Sequence, residues 1–223
     1  MTKFSKSEMK KAGQTLRKTI GKGYPKTIKM TDMNNKTHNI DKAHYMGLFE
    51  AQNIYIRNHG KYPNYVTLNT TANNPLVMDY QDNGYTCGPT SLSMATQMCF
   101  DYISEQKCAK ACKTVIGSGT TPANLITGAK SLGYQLTRIG RNYSSVKKAL
   151  QAGMPVIAQI QTKPATCLGF VNDYGHYILI YAVTSDGYYK VADPTKGLKK
   201  CKPSILDKAT NGRDIGYYSV KPV

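Results

Sequence analysis

The stretch Gln81-Asp82-Asn83-Gly84-Tyr85-Thr86-Cys87-Gly88-Pro89-Thr90-Ser91 decides how this chain is read. It places a cysteine behind a glycine-containing approach and at the start of a predicted helix, Gly88 to Phe100, with Pro89 in the first turn, where its missing N–H costs nothing. The unpaired N–H groups and positive dipole end of a helix favour thiolate over thiol, so the position suits a nucleophile. Gly88 would let a substrate carbonyl approach the backbone, and the Cys87 N–H can face an oxyanion. Gln81 is placed to add a second donor from its side-chain amide, and each such donor is worth a few kcal/mol in a transition state. A half-buried structural cysteine, with proline and glycine serving turn geometry, is the competing reading of this segment taken alone.

A cysteine nucleophile needs a base, and the chain offers four histidines, His38, His44, His59 and His176. Only His176 lies in the same part of the sequence, opening Gly175-His176-Tyr177-Ile178-Leu179-Ile180, a strand that would hold an imidazole at the end of a sheet. Its partner is Asp193 in Tyr188-Tyr189-Lys190-Val191-Ala192-Asp193-Pro194. If Asp186-Gly187 turns a hairpin, a two-residue loop sets Asp193 opposite Ile180 and a four-residue loop sets it opposite Ile178. Both have the parity of His176, so imidazole and carboxylate share a face of the ribbon. Asp193 can also be read as the turn residue of an Asp-Pro pair, and Asp173, in the loop before the strand, is a weaker candidate.

Outward from these residues, helices come first and strands afterwards. Ser104 caps a predicted helix running to about Val115, Thr121-Pro122 opens another ending near Gly133, and Ser145 to Ala152 forms a short fourth. Val156–Ile160, Tyr177–Val183, Tyr188–Ala192 and Ile215–Val220 read as strands. That order predicts an α+β domain with N-terminal helices and a C-terminal antiparallel sheet, spanning residues 79–223.

Residues 1–70 carry a weak internal repeat with an offset of 38, which aligns Tyr24-Pro25-Lys26-Thr27-Ile28 with Tyr62-Pro63-Asn64-Tyr65-Val66 and Gly13-Gln14 with Ala51-Gln52. Each unit reads as helix, turn, strand. Thr70-Thr71-Ala72-Asn73-Asn74-Pro75 is polar and turn-prone, and residues 71–78 are read as a linker. The net charge is +17, and its density is highest in residues 1–70, which hold 13 basic and 4 acidic side chains. Such a charge implies an anionic partner, either nucleic acid or an anionic wall polymer. No zinc-finger spacing, RNP-like aromatic motif or glycine-rich phosphate loop supports nucleic acid. The lysine-rich first residues lack the apolar core of a signal peptide, and no run is long and apolar enough to span a membrane. The chain is therefore expected to be made in the cytoplasm.

The order Gln81, Cys87, His176, Asp193, carried by "YTCGPTSLSMA", "GHYILIYAV" and "YYKVADP", resembles papain-like cysteine peptidases of the type that process double-glycine leader peptides. Gly47 to Leu68, "GLFEAQNIYIRNHGKYPNYVTL", is similar to a pseudomurein-binding repeat of archaeal wall-binding proteins. Together they resemble the pseudomurein endoisopeptidases, lytic enzymes of viruses and prophages of methanogens. The resemblance implies hydrolysis of the isopeptide bond to a lysine ε-amine in pseudomurein cross-links by a Cys87–His176–Asp193 triad with Gln81 as oxyanion donor. It also implies wall contact through Tyr62, Pro63 and Tyr65, release to the wall at lysis, a reducing environment, and often a divalent cation such as calcium, for which no acidic cluster suggests a site. A leader-processing peptidase acting on a soluble peptide, and a non-enzymatic wall- or nucleic-acid-binding protein, are the alternatives.

Cys99, Cys108, Cys112, Cys167 and Cys201 read as buried free thiols, with disulfides disfavoured in a reducing host. Cys108 and Cys112, four apart on a predicted helix, would be two ligands of a zinc site in the competing reading. Thr162 to Val171, which has no periodicity, is expected to form one wall of the substrate cleft.

Overall fold

A computed structural model describes residues 1–210 and 216–223. The N-terminal part is built of β1 (Lys3–Ser5), α1 (Lys6–Arg17), β2 (Thr27–Thr31), β3 (Thr37–Asp41), α2 (Lys42–His59) and β4 (Tyr65–Thr67). The helix-turn-strand reading holds for both units, but each also begins with a short strand the sequence did not announce. The two helices start alike: the Ser5 hydroxyl accepts from Glu8 N–H at 3.2 Å and the Asp41 carboxylate accepts from His44 N–H at 3.0 Å, each satisfying an orphan donor of a first turn. The strands then exchange partners. β1 pairs with β4 through Phe4 and Val66, whereas β2 pairs with β3 through Ile28 and Ile40, so the outer strands of the first unit pair with those of the second. All four of these apolar side chains are buried.

Beyond residue 86 the elements are α3 (Cys87–Met98), α4 (Glu105–Ala111), α5 (Pro122–Ser131), β5 (Tyr134–Ile139), α6 (Tyr143–Gln151), β6 (Val156–Gln161), β7 (Gly175–Val183), β8 (Tyr189–Asp193), β9 (Gly197–Cys201), α7 (Pro203–Thr210) and β10 (Tyr217–Pro222). The fold is α+β, as its sequence order predicts. A six-stranded antiparallel sheet runs β5-β10-β6-β7-β8-β9. Ile157, Leu179 and Ala192 face the core shared with α3 and the N-terminal helices. Val156, Ile178 and Val191, one residue along each strand, face a second core closed by α6 and α7. The start of the last strand, expected at Ile215, lies outside the described residues; β5, β9 and α7 were not anticipated.

Residues 71–78, read as a linker, hold no helix or strand but are strapped between the two parts. Ala72 N–H donates to Ala43 O at 2.9 Å, Asn53 Nδ2 to Pro75 O at 2.7 Å, and Val77 N–H to the side-chain oxygen of Gln97 at 2.8 Å. Gly47 permits the crossing, because a Cβ there would overlap the Thr70 backbone. A polar, turn-prone composition reflects backbone groups seeking partners as well as it reflects a spacer. Arg17 seals the same junction, donating to Asp101 and, at 2.8 Å, to the Tyr134 hydroxyl.

One expectation is corrected here: Cys167 and Cys201 form a disulfide, with 5.4 Å between their Cα atoms. It ties the loop ahead of β7 to the end of β9, two positions 34 residues apart that the sheet brings together. Cys99, Cys108 and Cys112 are free and buried, as expected.

Candidate active site

The helix that carries Cys87 differs from its neighbours at its first turn. α1, α2, α4, α5 and α6 are each capped by a side chain, of Ser5, Asp41, Ser104, Thr121 and Asn142. α3 has no such cap: the Thr86 hydroxyl donates instead to Asn83 O at 3.0 Å, inside the approach loop. The leading N–H groups of α3 and their partial positive charge are thus left for Cys87 and whatever binds there. Residues Gly88 to Met98 are buried, so the helix is a rigid mount for its first residue, the half-buried Cys87. Gly88 serves packing rather than substrate approach, since a Cβ there would stand 3.2 Å from the Tyr177 ring and 3.4 Å from Thr120.

His176 stands at the start of β7 and Asp193 at the end of β8. The hairpin between them turns through Asp186-Gly187, and near the turn Val183 pairs with Tyr189 and Ala182 with Lys190. Continued unbroken, that register would put Asp193 on the face opposite His176, because a one-residue slip inverts a strand's faces. A bulge between Ile180 and Ala182 corrects it: beyond the bulge Ile180 pairs with Val191 and Leu179 with Ala192, which carries Asp193 beside Ile178. This is the second of the two registers predicted from the sequence, reached by a different route.

The two side chains meet. His176 Nε2 lies 2.9 Å from Asp193 Oδ1, with both residues buried. The same oxygen accepts from Thr195 N–H at 2.7 Å and Lys196 N–H at 3.1 Å. Asp193 is therefore both the turn residue of an Asp-Pro pair and the partner of the imidazole, two readings that seemed to compete. Asp173 is engaged elsewhere, accepting from Lys163 N–H at 3.2 Å and Gln161 Nε2 at 3.4 Å.

With Nε2 taken by Asp193, the ring has Nδ1 left, and Cys87 is close enough to act on its proton affinity. Burial alone would lower the imidazole pKa, but the hydrogen bonds and charges of Asp193 and Cys87 outweigh it and raise it to about 9. A pKa raised that far favours the protonated ring at neutral pH, which suits it to donate a proton to a leaving group.

Gln81 is pinned to the turn after Asp193: its N–H donates to Pro194 O at 3.0 Å, and its side-chain oxygen accepts from Thr195 Oγ1 at 3.1 Å. Its Nε2 donates to Asn83 O at 2.6 Å. Glu105, buried, braces the same loop from α4, accepting from Asp82 N–H at 3.0 Å and from Thr90 Oγ1 at 2.7 Å. Glu105, Thr195 and Lys196 were not singled out from the sequence. A signal existed for the last two, because an aspartate ahead of Pro-x-x-Gly commonly caps the N–H groups that follow it.

The loop Thr162 to Val171 reaches the site. Phe170 meets the His176 ring edge to face, with centroids 5.2 Å apart, and the Lys196 ammonium lies 5.0 Å from the Phe170 centroid. Tyr62 and Tyr65 are exposed, near Lys6 and Lys3 respectively, whereas Pro63 is buried. Among the described residues no three His, Cys, Asp or Glu side chains converge into a group able to hold a metal ion. No described helix is long and apolar enough to cross a membrane.

A family model described as the Peptidase_C39-like family matches residues 61–211, a span that holds Gln81, Cys87, His176 and Asp193. The chain belongs to the Peptidase_C39-like family. It is a cysteine peptidase by that membership, and the fold of this C39-like peptidase is shared by solved structures at low sequence identity. The peptidase domain of Streptococcus ComA, a bi-functional ABC transporter involved in a quorum sensing pathway, matches 66% of this chain and 98% of its own, at 17% identity and a TM-score of 0.51. A protein from Bacillus anthracis described as a C39-like peptidase matches 66% and 95%, at 16% identity and a TM-score of 0.50. No curated protein matches the chain. The family match starts at residue 61, so the paired repeats lie almost wholly outside it.

Proposed function

We propose that this cysteine peptidase is a lytic endoisopeptidase that hydrolyses the isopeptide bond to a lysine ε-amine in pseudomurein cross-links. The observation that carries the catalytic half is the buried His176 ring bonded to Asp193 at 2.9 Å, with Cys87 standing at the uncapped first turn of α3. The Cys87 thiolate attacks the carbonyl carbon, and the oxyanion forms against the uncapped first turn of α3. Gln81 adds a donor there when its Nε2 turns from the Asn83 carbonyl. His176 passes its proton to the departing lysine amine, then takes one from the water that hydrolyses the thioester. Asp193 orients the ring throughout.

The substrate half rests on the repeat motif of residues 47–68 and on the positive charge concentrated in residues 1–70. In this reading the N-terminal part adsorbs the enzyme to the anionic wall, Tyr62 and Tyr65 among its contacts, and the peptidase acts on cross-links within reach after release at lysis. Purified pseudomurein sacculi test it, with intact protein and Cys87→Ala compared for loss of turbidity and for newly freed lysine ε-amines, with and without calcium. Clearing by the intact protein alone, both proteins sedimenting with the sacculi, is the expected result. Unchanged sacculi with active cleavage of a soluble double-glycine leader peptide would overturn the wall assignment in favour of leader processing.

A further inference from the structure

A cleft of about 610 Å³ opens between α1, α2 and the turn that follows α3, at the opposite end of that helix from Cys87. Its floor is apolar, made by Met9, Phe49 and Phe100. Its walls hold the repeat-equivalent pair Gln14 and Gln52, so the internal repeat brings the same residue from each unit to one cavity. Gln52 is only 5% exposed, and it lines the cleft. A carboxamide held so close to fully buried gains most from a partner inside the cleft it lines, where a polar group of a ligand can meet it.

The charge on the cleft is one-signed where it is unspent. Arg17 and Asp101 line it but neutralise each other. Lys6 and Lys10 also line it, exposed, with no ion pair among the described residues; Lys6 lies 5.7 Å from the centroid of the Tyr62 ring, which closes one end. One helical turn separates the two lysines, about 6 Å along the axis. In an extended peptide, side chains two residues apart lie on one side at about 6.6 Å. A primary carboxamide matches a backbone peptide group donor for acceptor, and the apolar floor suits the side chain between.

We propose that this cleft binds an extended acidic peptide, with carboxylates at alternate positions on Lys6 and Lys10 and an intervening peptide group on Gln52. The assignment does not depend on which bond Cys87 cleaves, so it is tested in the full-length Cys87→Ala chain by calorimetry at low salt. The probes are acetyl-Glu-Ala-Glu-amide, its Gln-Ala-Gln counterpart, and a hyaluronan tetrasaccharide that carries carboxylate and acetamido groups on a sugar backbone. Saturable binding of the acidic peptide alone is expected, weakened about tenfold by Lys10→Glu and by Gln52→Leu. The surface variant Lys10→Glu guards against misfolding of the buried one, and an unchanged His176 resonance shows the fold intact. Equal binding of the neutral peptide, indifference to Lys10→Glu, or binding of the tetrasaccharide instead of the peptide would each overturn the proposal.

Discussion

Replacing Asp193 with asparagine separates the charge of the carboxylate on His176 from its geometry. All three donors that reach Asp193, from His176, Thr195 and Lys196, converge on Oδ1, while Oδ2 is buried with no partner. An asparagine carrying its amide nitrogen at the Oδ2 position keeps all three bonds and loses only the charge. A hydrogen bond to a charged group is worth about 1.5–3 kcal/mol and a neutral one about 0.5–1.5, a loss of about 1–1.5 kcal/mol, or roughly one pH unit. His176 starts at about 9. In Asp193→Asn its midpoint should fall to about 8, still above an ordinary histidine because Cys87 continues to hold it. Carbon-13 NMR of ring-labelled histidine reads this directly, His176 being assigned from the signal lost in His176→Gln. A wild-type midpoint near 6.5, or an Asp193→Asn midpoint unmoved from the wild-type value, would refute the argument that the two acceptors outweigh burial.

The same shift has a consequence for stability, and its sign is fixed by linkage. A histidine raised from 6.5 to about 9 on folding stabilises the protein fully below pH 6.5, and that contribution is lost as pH rises through about 9. Urea midpoints at pH 6 and pH 10 should thus differ by more in the wild type than in His176→Gln; an equal difference would show the imidazolium is not coupled to folding. Replacing Cys167 and Cys201 by serine should cost about 4 kcal/mol for a loop of this length in the chain-entropy model, read as a Tm lower by about 8–16 °C, and a Tm unaffected by the change would show the bridge to be dispensable. Gly128→Ala sets a Cβ 2.5 Å from Cys112 Sγ and 2.7 Å from its Cα, so α4 and α5 must part; denaturant unfolding should register a loss of about 1–3 kcal/mol. Deleting a few residues of Thr162–Val171 should impair cleavage, since Phe170 would leave the His176 ring, and full activity would show the loop to be an ordinary connection.

The placing of Cys87 at a helix start and of His176 beside Asp193 was legible because each sits in a local pattern with a physical meaning: a helix start, a strand start, and a hairpin whose parity joins the last two. The bulge that restores that parity left no mark, since nothing in Ile180-Tyr181-Ala182 distinguishes a bulged strand from a regular one. Glu105 was invisible for a related reason. Its bonds to Asp82 and Thr90 are long-range, and in the sequence it is simply the acidic first residue of a capped helix. The disulfide was misjudged because it depends on β9, a Lys-rich strand of Gly197-Leu198-Lys199-Lys200-Cys201 with little β-type character, being carried back beside the loop ahead of β7. In the N-terminal part the helices were legible from the repeated helix, turn and strand pattern, whereas three-residue strands such as β1 fall below any periodicity that could announce them.

The exchange of strands between the two N-terminal repeats has a bearing on ancestry and on engineering. Each unit supplies one strand to either two-stranded ribbon, which is the connectivity expected if two copies of one short segment first associated as a symmetric dimer and were later fused head to tail. A single unit on its own leaves both strands without the partners they have here, and a second copy would supply strands of matching kind. Removing one repeat from this chain would therefore yield a protein with two unpaired strands, suited to recover their partners from another molecule.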